Sequence, residues 1–192
     1  MKKPEKLYEG NMRKKYFLFA VPLILSTLLT RSYNIINSMM IGEFIGSEAF
    51  AATAVTAQLV EFIDSIFYGY LTGVGIYVSV LFGKSEYKRM LNVIKLNFLI
   101  TSIAAVLISA ICVVFCDQIF EVLNVNAEIY DTAKAYFTTF ISGLLFLQFQ
   151  WGFTYISNGM GNTKIPLFAS LVTGVFNISL NYLLLAVFRK GI

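Results

Sequence analysis

Histidine is missing from this 192-residue chain, while tryptophan appears once, cysteine twice and proline three times. Without an imidazole the chain has no histidine to serve as metal ligand, pH switch or catalytic base. Cys112 and Cys116 stand four apart in an apolar run, where they read as small apolar residues of a helix rather than a metal or redox pair. Charge is scarce too, at 14% of residues, against about a quarter in soluble domains. There is no nucleophile–base pair, no phosphate loop and no metal cluster, so nothing supports an enzyme. The first apolar run is long, lacks a small-residue cleavage site and is followed by further runs, which argues against a cleaved signal peptide.

What is present is apolar. Hydrophobic residues make up 57% of the chain and the mean hydropathy is +0.71, the balance of a membrane protein. The net charge of +4 is not a nucleic-acid footprint, because the basic residues are split along the chain. Six of the fifteen Lys and Arg lie in the first fifteen residues and four more between Lys84 and Lys95, the pattern of cytoplasmic segments.

The most informative stretch is Val21 to Ile45, VPLILSTLLTRSYNIINSMMIGEFI. A span needs roughly twenty residues at about 1.5 Å each, and this run is long enough. Yet Arg31, Asn34 and Asn37 sit inside it. Acyl chains cannot satisfy such groups, so they must face protein or water. Thr27, Thr30, Asn34 and Asn37 recur at three- and four-residue spacing as one stripe, with Arg31 at its edge. This helix reads as one wall of a polar cavity.

The pattern predicts an all-α polytopic membrane protein with five transmembrane helices near 16–41, 50–82, 96–116, 136–157 and 165–188, behind a basic cytoplasmic segment at 1–15. Counted from the N-terminal segment, the polar segments run basic, acidic, basic, acidic, which places the N-terminus inside. The acidic loop from Asp117 to Asp131 holds four acids and no Lys or Arg. Arg189 and Lys190 depart from the alternation, and the chain reads as a truncated fragment of a larger transporter whose next helix would start beyond Ile192.

Two acids stand in the second helix. Glu61 and Asp64 are three apart and so share a face. Glu61 lies fifteen residues after Gly46 and Arg31 fifteen before it, which in an antiparallel hairpin puts both at similar depth. An Arg31–Glu61 ion pair is expected, leaving Asp64 as the group free to titrate. The alternative is that both acids are structural or are wetted by an open cleft.

Three stretches carry a family resemblance: VPLILSTLLTRSYNIINSMMIGEFIGSEAFAA, LTGVGIYVSVLFGKSEYKRM and NGMGNTKIPLFASLVTGVFNISLNYLLL. In this order and spacing they resemble the N-terminal half of a multidrug and toxic compound extrusion (MATE) transporter. The resemblance implies two six-helix bundles around a central cleft, of which this chain would supply most of the first and lack the C-terminal one. It implies export of small organic cations or drugs across the plasma (inner) membrane in exchange for H+ or Na+. No other cofactor, no metal and no nucleic-acid partner is expected. In proton-coupled members, helix one carries an Asp in YNxxD and helix five an Asp four residues after an Asn. Here those places hold Asn37, in YNIIN, and Asn181, in NISLN. An amide can coordinate or hydrogen-bond but cannot release a proton.

Tyr33, Asn34, Asn37, Asp64, Gln150, Asn177 and Asn181 are therefore the expected substrate or ion ligands, with Ser170, Thr173, Thr154 and Asn158 on the same faces of their helices. Neutral dipoles and aromatics of this kind suit amphipathic cations. The same residues could instead serve as interhelical packing glue, at around 1 kcal/mol or less each. Two further readings stand beside export. A flippase for a lipid-linked precursor would want a strongly basic cavity, against which Arg31 stands alone between two acids. An inactive fragment, a structural membrane module only, is the other, since five helices alone cannot form a two-sided cleft.

Overall fold

The computed structural model describes residues 11–187, all-helical apart from short turns. The elements are α1 (Met12–Phe44), α2 (Ser47–Gly83), α3 (Tyr87–Val114), α4 (Cys116–Val122), α5 (Ala127–Ser142), α6 (Leu144–Gly159) and α7 (Lys164–Tyr182), the last running into a π-type turn at Leu183–Val187. Arg189, Lys190 and the first ten residues lie outside the described residues.

Local chemistry sets the helix ends. The Asn11 side chain accepts from the Lys14 amide and caps α1, and Asn126 does the same for the Glu128 amide at the start of α5. Between α1 and α2 only Ile45 and Gly46 remain outside helix. Gly46 has φ +126°, which a residue without a Cβ adopts at little cost. That tight reversal makes the first two helices an antiparallel hairpin.

Among the described residues four helices are long and apolar enough to cross a membrane: Met12–Phe44, Ser47–Gly83, Tyr87–Val114 and Lys164–Leu185. The expected fourth span, 136–157, is two helices instead. α5 and α6 have 16 residues each, or about 24 Å apiece, short of the roughly 30 Å of hydrocarbon. They abut at Gly143, whose amide donates to the Phe140 carbonyl in a tightened turn. Together they form one broken rod. It begins at Ala127 rather than Tyr136, because Asn126 caps it and Ala133 and Phe137 are fully buried. The acidic loop is correspondingly shorter and contains α4. Likewise α3 begins at Tyr87, so Lys88, Arg89 and Lys95 already lie on the helix.

The core lies between α2, α3, α4, α5 and α6. Phe67 and Leu71 pack with Ala105, Phe120, Phe137, Ile141 and Leu144. A second cluster of Val78, Leu81, Met90 and Ile156 closes the other end. Outside this core, α1 has no buried residue and packs chiefly against α7. Large apolar side chains such as Phe17, Leu28, Val106, Phe168 and Phe176 stand exposed on the outer faces. In water such surface drives association, whereas acyl chains solvate it.

Helices α2 and α6 run parallel, with Tyr68 against Tyr155. They touch backbone to backbone at Gly75 and Gly159, where a Cβ added to Gly159 would stand 2.5 Å from the Gly75 carbonyl oxygen. Helix α3 runs antiparallel to α6: Phe98 stacks on Phe149 and meets Phe153, while the Ser109 hydroxyl donates to the Ile141 carbonyl.

Two outcomes follow from this packing. Gly159→Ala should lower the unfolding midpoint in detergent by an amount corresponding to about 1–3 kcal/mol, since backbone cannot yield as a side chain can. Gly73→Ala, where nothing lies within 4 Å, should be tolerated. The second concerns Asp117, whose carboxylate accepts from Lys134 Nζ and from Tyr130 Oη, tying α4 to α5. Lys134 first and Tyr130 second hold its pKa below the usual carboxylate range. A depressed folded-state pKa means stability present at neutral pH and lost as pH falls through the acid range. Protection of residues 116–131 against hydrogen exchange, corrected for the intrinsic pH dependence of amide exchange, should therefore fall between pH 7 and pH 3, and Asp117→Asn should remove the difference.

Candidate functional site

The amides of α1 and α7 converge. Asn37 Nδ2 donates to Asn177 Oδ1 at 2.6 Å, and Asn181 Nδ2 donates to Asn37 Oδ1 at 3.0 Å and to Asn177 Oδ1 at 3.4 Å. The helices run parallel, because Tyr33 lies against Gly174 and Phe44 meets Tyr182 edge-on. A Cβ at Gly174 would sit 3.1 Å from the Tyr33 ring, so this glycine lets the ring approach α7. Residues four apart on α7 thus bracket one residue of α1, and all three amides are partly shielded. The cluster holds no carboxylate. It offers carbonyl oxygens and N–H donors, which can ligate a cation or polarise a substrate group but cannot exchange a proton.

The Arg31–Glu61 pair joins α1 to α2 at 3.3 Å. Both side chains are about two-thirds exposed, at 68% and 71%. Beside them Arg31, Asn34, Ile35, Ser38, Met39 and Phe50 line an open hollow of about 320 Å³. The rest of the α1 stripe turns back on its own helix: Thr27 donates to the Leu23 carbonyl and Thr30 to that of Ser26.

Asp64 forms no ion pair among the described residues but is hydrogen-bonded. Gln148 Nε2, on α6, donates to Asp64 Oδ1 at 3.2 Å. Gln148 is fully buried, and its Oε1 has no hydrogen-bond partner among the described residues. Asn97 on α3 is 1% exposed, and neither atom of its amide group is partnered there. An unsatisfied buried group of this kind costs roughly 1–3 kcal/mol. Gln150, the expected ligand on α6, is exposed, and its side chain has no hydrogen bond among the described residues. It points away from Gln148 because two residues along a helix turn the side chain to the opposite side. Thr154 donates to the Gln150 carbonyl. Asn158 lines a separate hollow of about 280 Å³ with Phe19, Thr72, Ser79 and Tyr155.

Gln148 and Asn97 are the residues that sequence reasoning missed. A signal for each existed: Gln148 shares a face with Gly152, Ile156 and Gly159, and Asn97 lies on the same stripe as Met90, Thr101 and Ala105. Both stripes are the buried faces of their helices.

The two interhelical polar contacts should differ in strength. The Arg31–Glu61 coupling from a double-mutant cycle in detergent should fall below about 1 kcal/mol, as for exposed ion pairs. The Asn37–Asn181 coupling, measured with Leu replacements, should lie near 0.6 kcal/mol and reach at most about 1.7, the range of hydrogen bonds between membrane helices.

The comparisons with known proteins agree with this architecture. The chain is 27% identical over 187 residues to the probable multidrug resistance protein YpnP of Bacillus subtilis, covering 96% of this chain and 41% of that protein. It is 24% identical to the multidrug export protein MepA of Staphylococcus haemolyticus, covering 95% and 41% respectively. The chain thus spans about two fifths of the length of the curated relatives it matches. Its fold superimposes with TM-score 0.86 on an outward-facing multidrug resistance MATE family transporter, at 18% identity over 95% of this chain and 40% of that one. This is an integral-membrane family of transporters, not enzymes. The MatE family pattern matches residues 22–183, more than half of the 192, and the chain belongs to that family.

Proposed function

We propose that this chain forms most of the first helical bundle of a secondary transporter that exports small organic cations or drugs by antiport against H+ or Na+. A second bundle would complete the cleft, in a plasma (inner) membrane with the N-terminus in the cytoplasm. The observation that carries this reading is the junction of Asn37, Asn177 and Asn181, which draws the polar faces of α1 and α7 together at the positions where the resemblance expects a site. Tyr33, beside that junction, adds an aromatic face that suits an amphipathic cation. With amides at both expected acid positions, Asp64 is the acid withdrawn from the surface that remains available for coupling, while Glu61 is exposed and engaged by Arg31. A phosphate-bearing lipid precursor fits this lining less well, because its one arginine is already paired with Glu61.

The test is efflux from bacteria lacking their own exporters, using the chain together with its second bundle and a fluorescent organic cation such as ethidium. The expected outcome is lowered dye accumulation, with Asn37→Ala and Asn181→Ala each reducing efflux several-fold. Asp64→Asn should abolish the response of efflux to an imposed ion gradient; unchanged gradient-driven efflux removes Asp64 from the coupling step. If the 192-residue chain alone restores efflux, the need for a second bundle is wrong.

A further inference from the structure

The three helices at the centre of the core bring polar groups within about one helical turn of each other. Gln148 bonds Asp64, and equal offsets of eleven residues connect this contact to the Gly75–Gly159 touch, so α2 and α6 stay in register along the way. On α3, Phe98 lies between Phe149 and Phe153, and Ser109 reaches Ile141. Interpolating along these antiparallel helices places Thr101 level with Gln148, and Asn97 one turn further in, against Gly152. There the Asn97 Nδ2 atom would be 3.4 Å from a Cβ at Gly152. Asn97, Thr101 and Gln148 are each at most 3% exposed.

This layer contains one carboxylate, at Asp64, and no Lys or Arg pairs with it among the described residues. It also contains three buried polar atoms without partners: Gln148 Oε1, Asn97 Oδ1 and Asn97 Nδ2. Thr101 Oγ1 donates to the Asn97 carbonyl at 2.8 Å and keeps its lone pairs for another contact. One negative charge beside neutral oxygen donors matches a singly charged cation. A divalent ion draws on several carboxylates, and among the described residues no three acidic, Cys or His side chains are placed to hold a metal ion together.

We infer that Asp64, Gln148, Thr101 and Asn97 form a binding site for a monovalent cation between α2, α3 and α6, distinct from the amide cluster of α1 and α7. In the structure Gln148 turns its N–H toward Asp64; rotation of that terminal amide by half a turn presents Oε1 beside the carboxylate instead. Asn97 Oδ1 and Thr101 Oγ1 then supply the far side of the shell. The site stands on the packing of the core and not on the export reading, so the two can fail separately.

The measurement is thermal unfolding of the full chain in detergent, titrated with NaCl against choline chloride at constant ionic strength. The expected result is a saturable rise of the midpoint with Na+. Asp64→Asn should eliminate it, and Gln148→Leu should weaken the apparent affinity at least tenfold. Asn97→Leu should weaken it about threefold, with Asn97→Ser as the variant to use if leucine prevents folding. Asp131→Asn, at an exposed acid of α5, should respond as the unaltered chain does. The inference is overturned if the folded unaltered chain gives no Na+ response, or if Asp64→Asn keeps it. Loss of the response in Asn37→Leu with retention in Gln148→Leu would also overturn it, placing the ion at the other cluster.

Discussion

A bilayer offers no hydrogen-bond partner to an amide or a carboxylate, and this constraint decides where most interior polar groups among the described residues stand. Hydroxyls meet it locally: Thr27, Thr30, Thr56, Thr72 and Ser102 all bond carbonyls of their own helices. The longer amides and acids cannot fold back in this way and must reach a neighbouring helix. They do so at three places: Asn37 with Asn177 and Asn181, Arg31 with Glu61, and Asp64 with Gln148. Each of these contacts joins a different pair of helices. The polar groups that an acyl environment would reject are the same groups that fix which helix lies beside which.

The contacts divide the bundle into two bodies. Helices α2, α3, α5 and α6 share a continuous apolar core with α4, while α1 and α7 pack mainly on each other. Apolar contact holds the first body, whose side chains Phe137, Ile141 and Leu144 are fully withdrawn from the surface. The second body has little apolar burial, since α1 buries none of its residues and α7 only Pro166 and Gly174. Amide bonds and the Tyr33–Gly174 approach do more of the joining there. A seam held by a few directional contacts changes partners more readily than an interdigitated core, which suits the face at which substrate binding is proposed.

The class of fold was legible because lipid imposes it: long apolar runs, alternating basic and acidic connections, and polar residues at helical spacing each have one reading in a membrane. The Arg31–Glu61 pair was legible for a geometric reason, as two residues equidistant from a tight turn must lie at one depth. The convergence of Asn37 with Asn177 and Asn181 was visible only through the family resemblance, since no periodicity connects helices 140 residues apart. Other features were hidden. The break at Gly143 lies within an uncharged run, so hydropathy merged α5 and α6 and began the span nine residues late, at Tyr136 rather than Ala127. The same blur obscured the phase of α6, where Gln148 and Gln150 are chemically identical and only the helix start decides which one faces the core. Gln150 was chosen with Thr154 and Asn158 as one polar stripe; Gln148 is the buried one.

The phase of α6 depends in turn on two glycines far from either glutamine. Gly75 and Gly159 allow α2 and α6 to meet backbone to backbone, which fixes both the rotation and the height of α6. Eleven residues back along each helix, about 16 Å at 1.5 Å per residue, stand Asp64 and Gln148. A slip of one residue at the glycine contact would shift α6 by about 1.5 Å and turn it by about 100°. That turn would carry Gln148 out of reach of Asp64 and bring a bulky neighbour, Leu147 or Phe149, into its place. The carboxylate would then face an apolar surface, with nothing to hold it. A close approach of two residues without side chains at one end of the bundle thus determines the chemistry available at its centre.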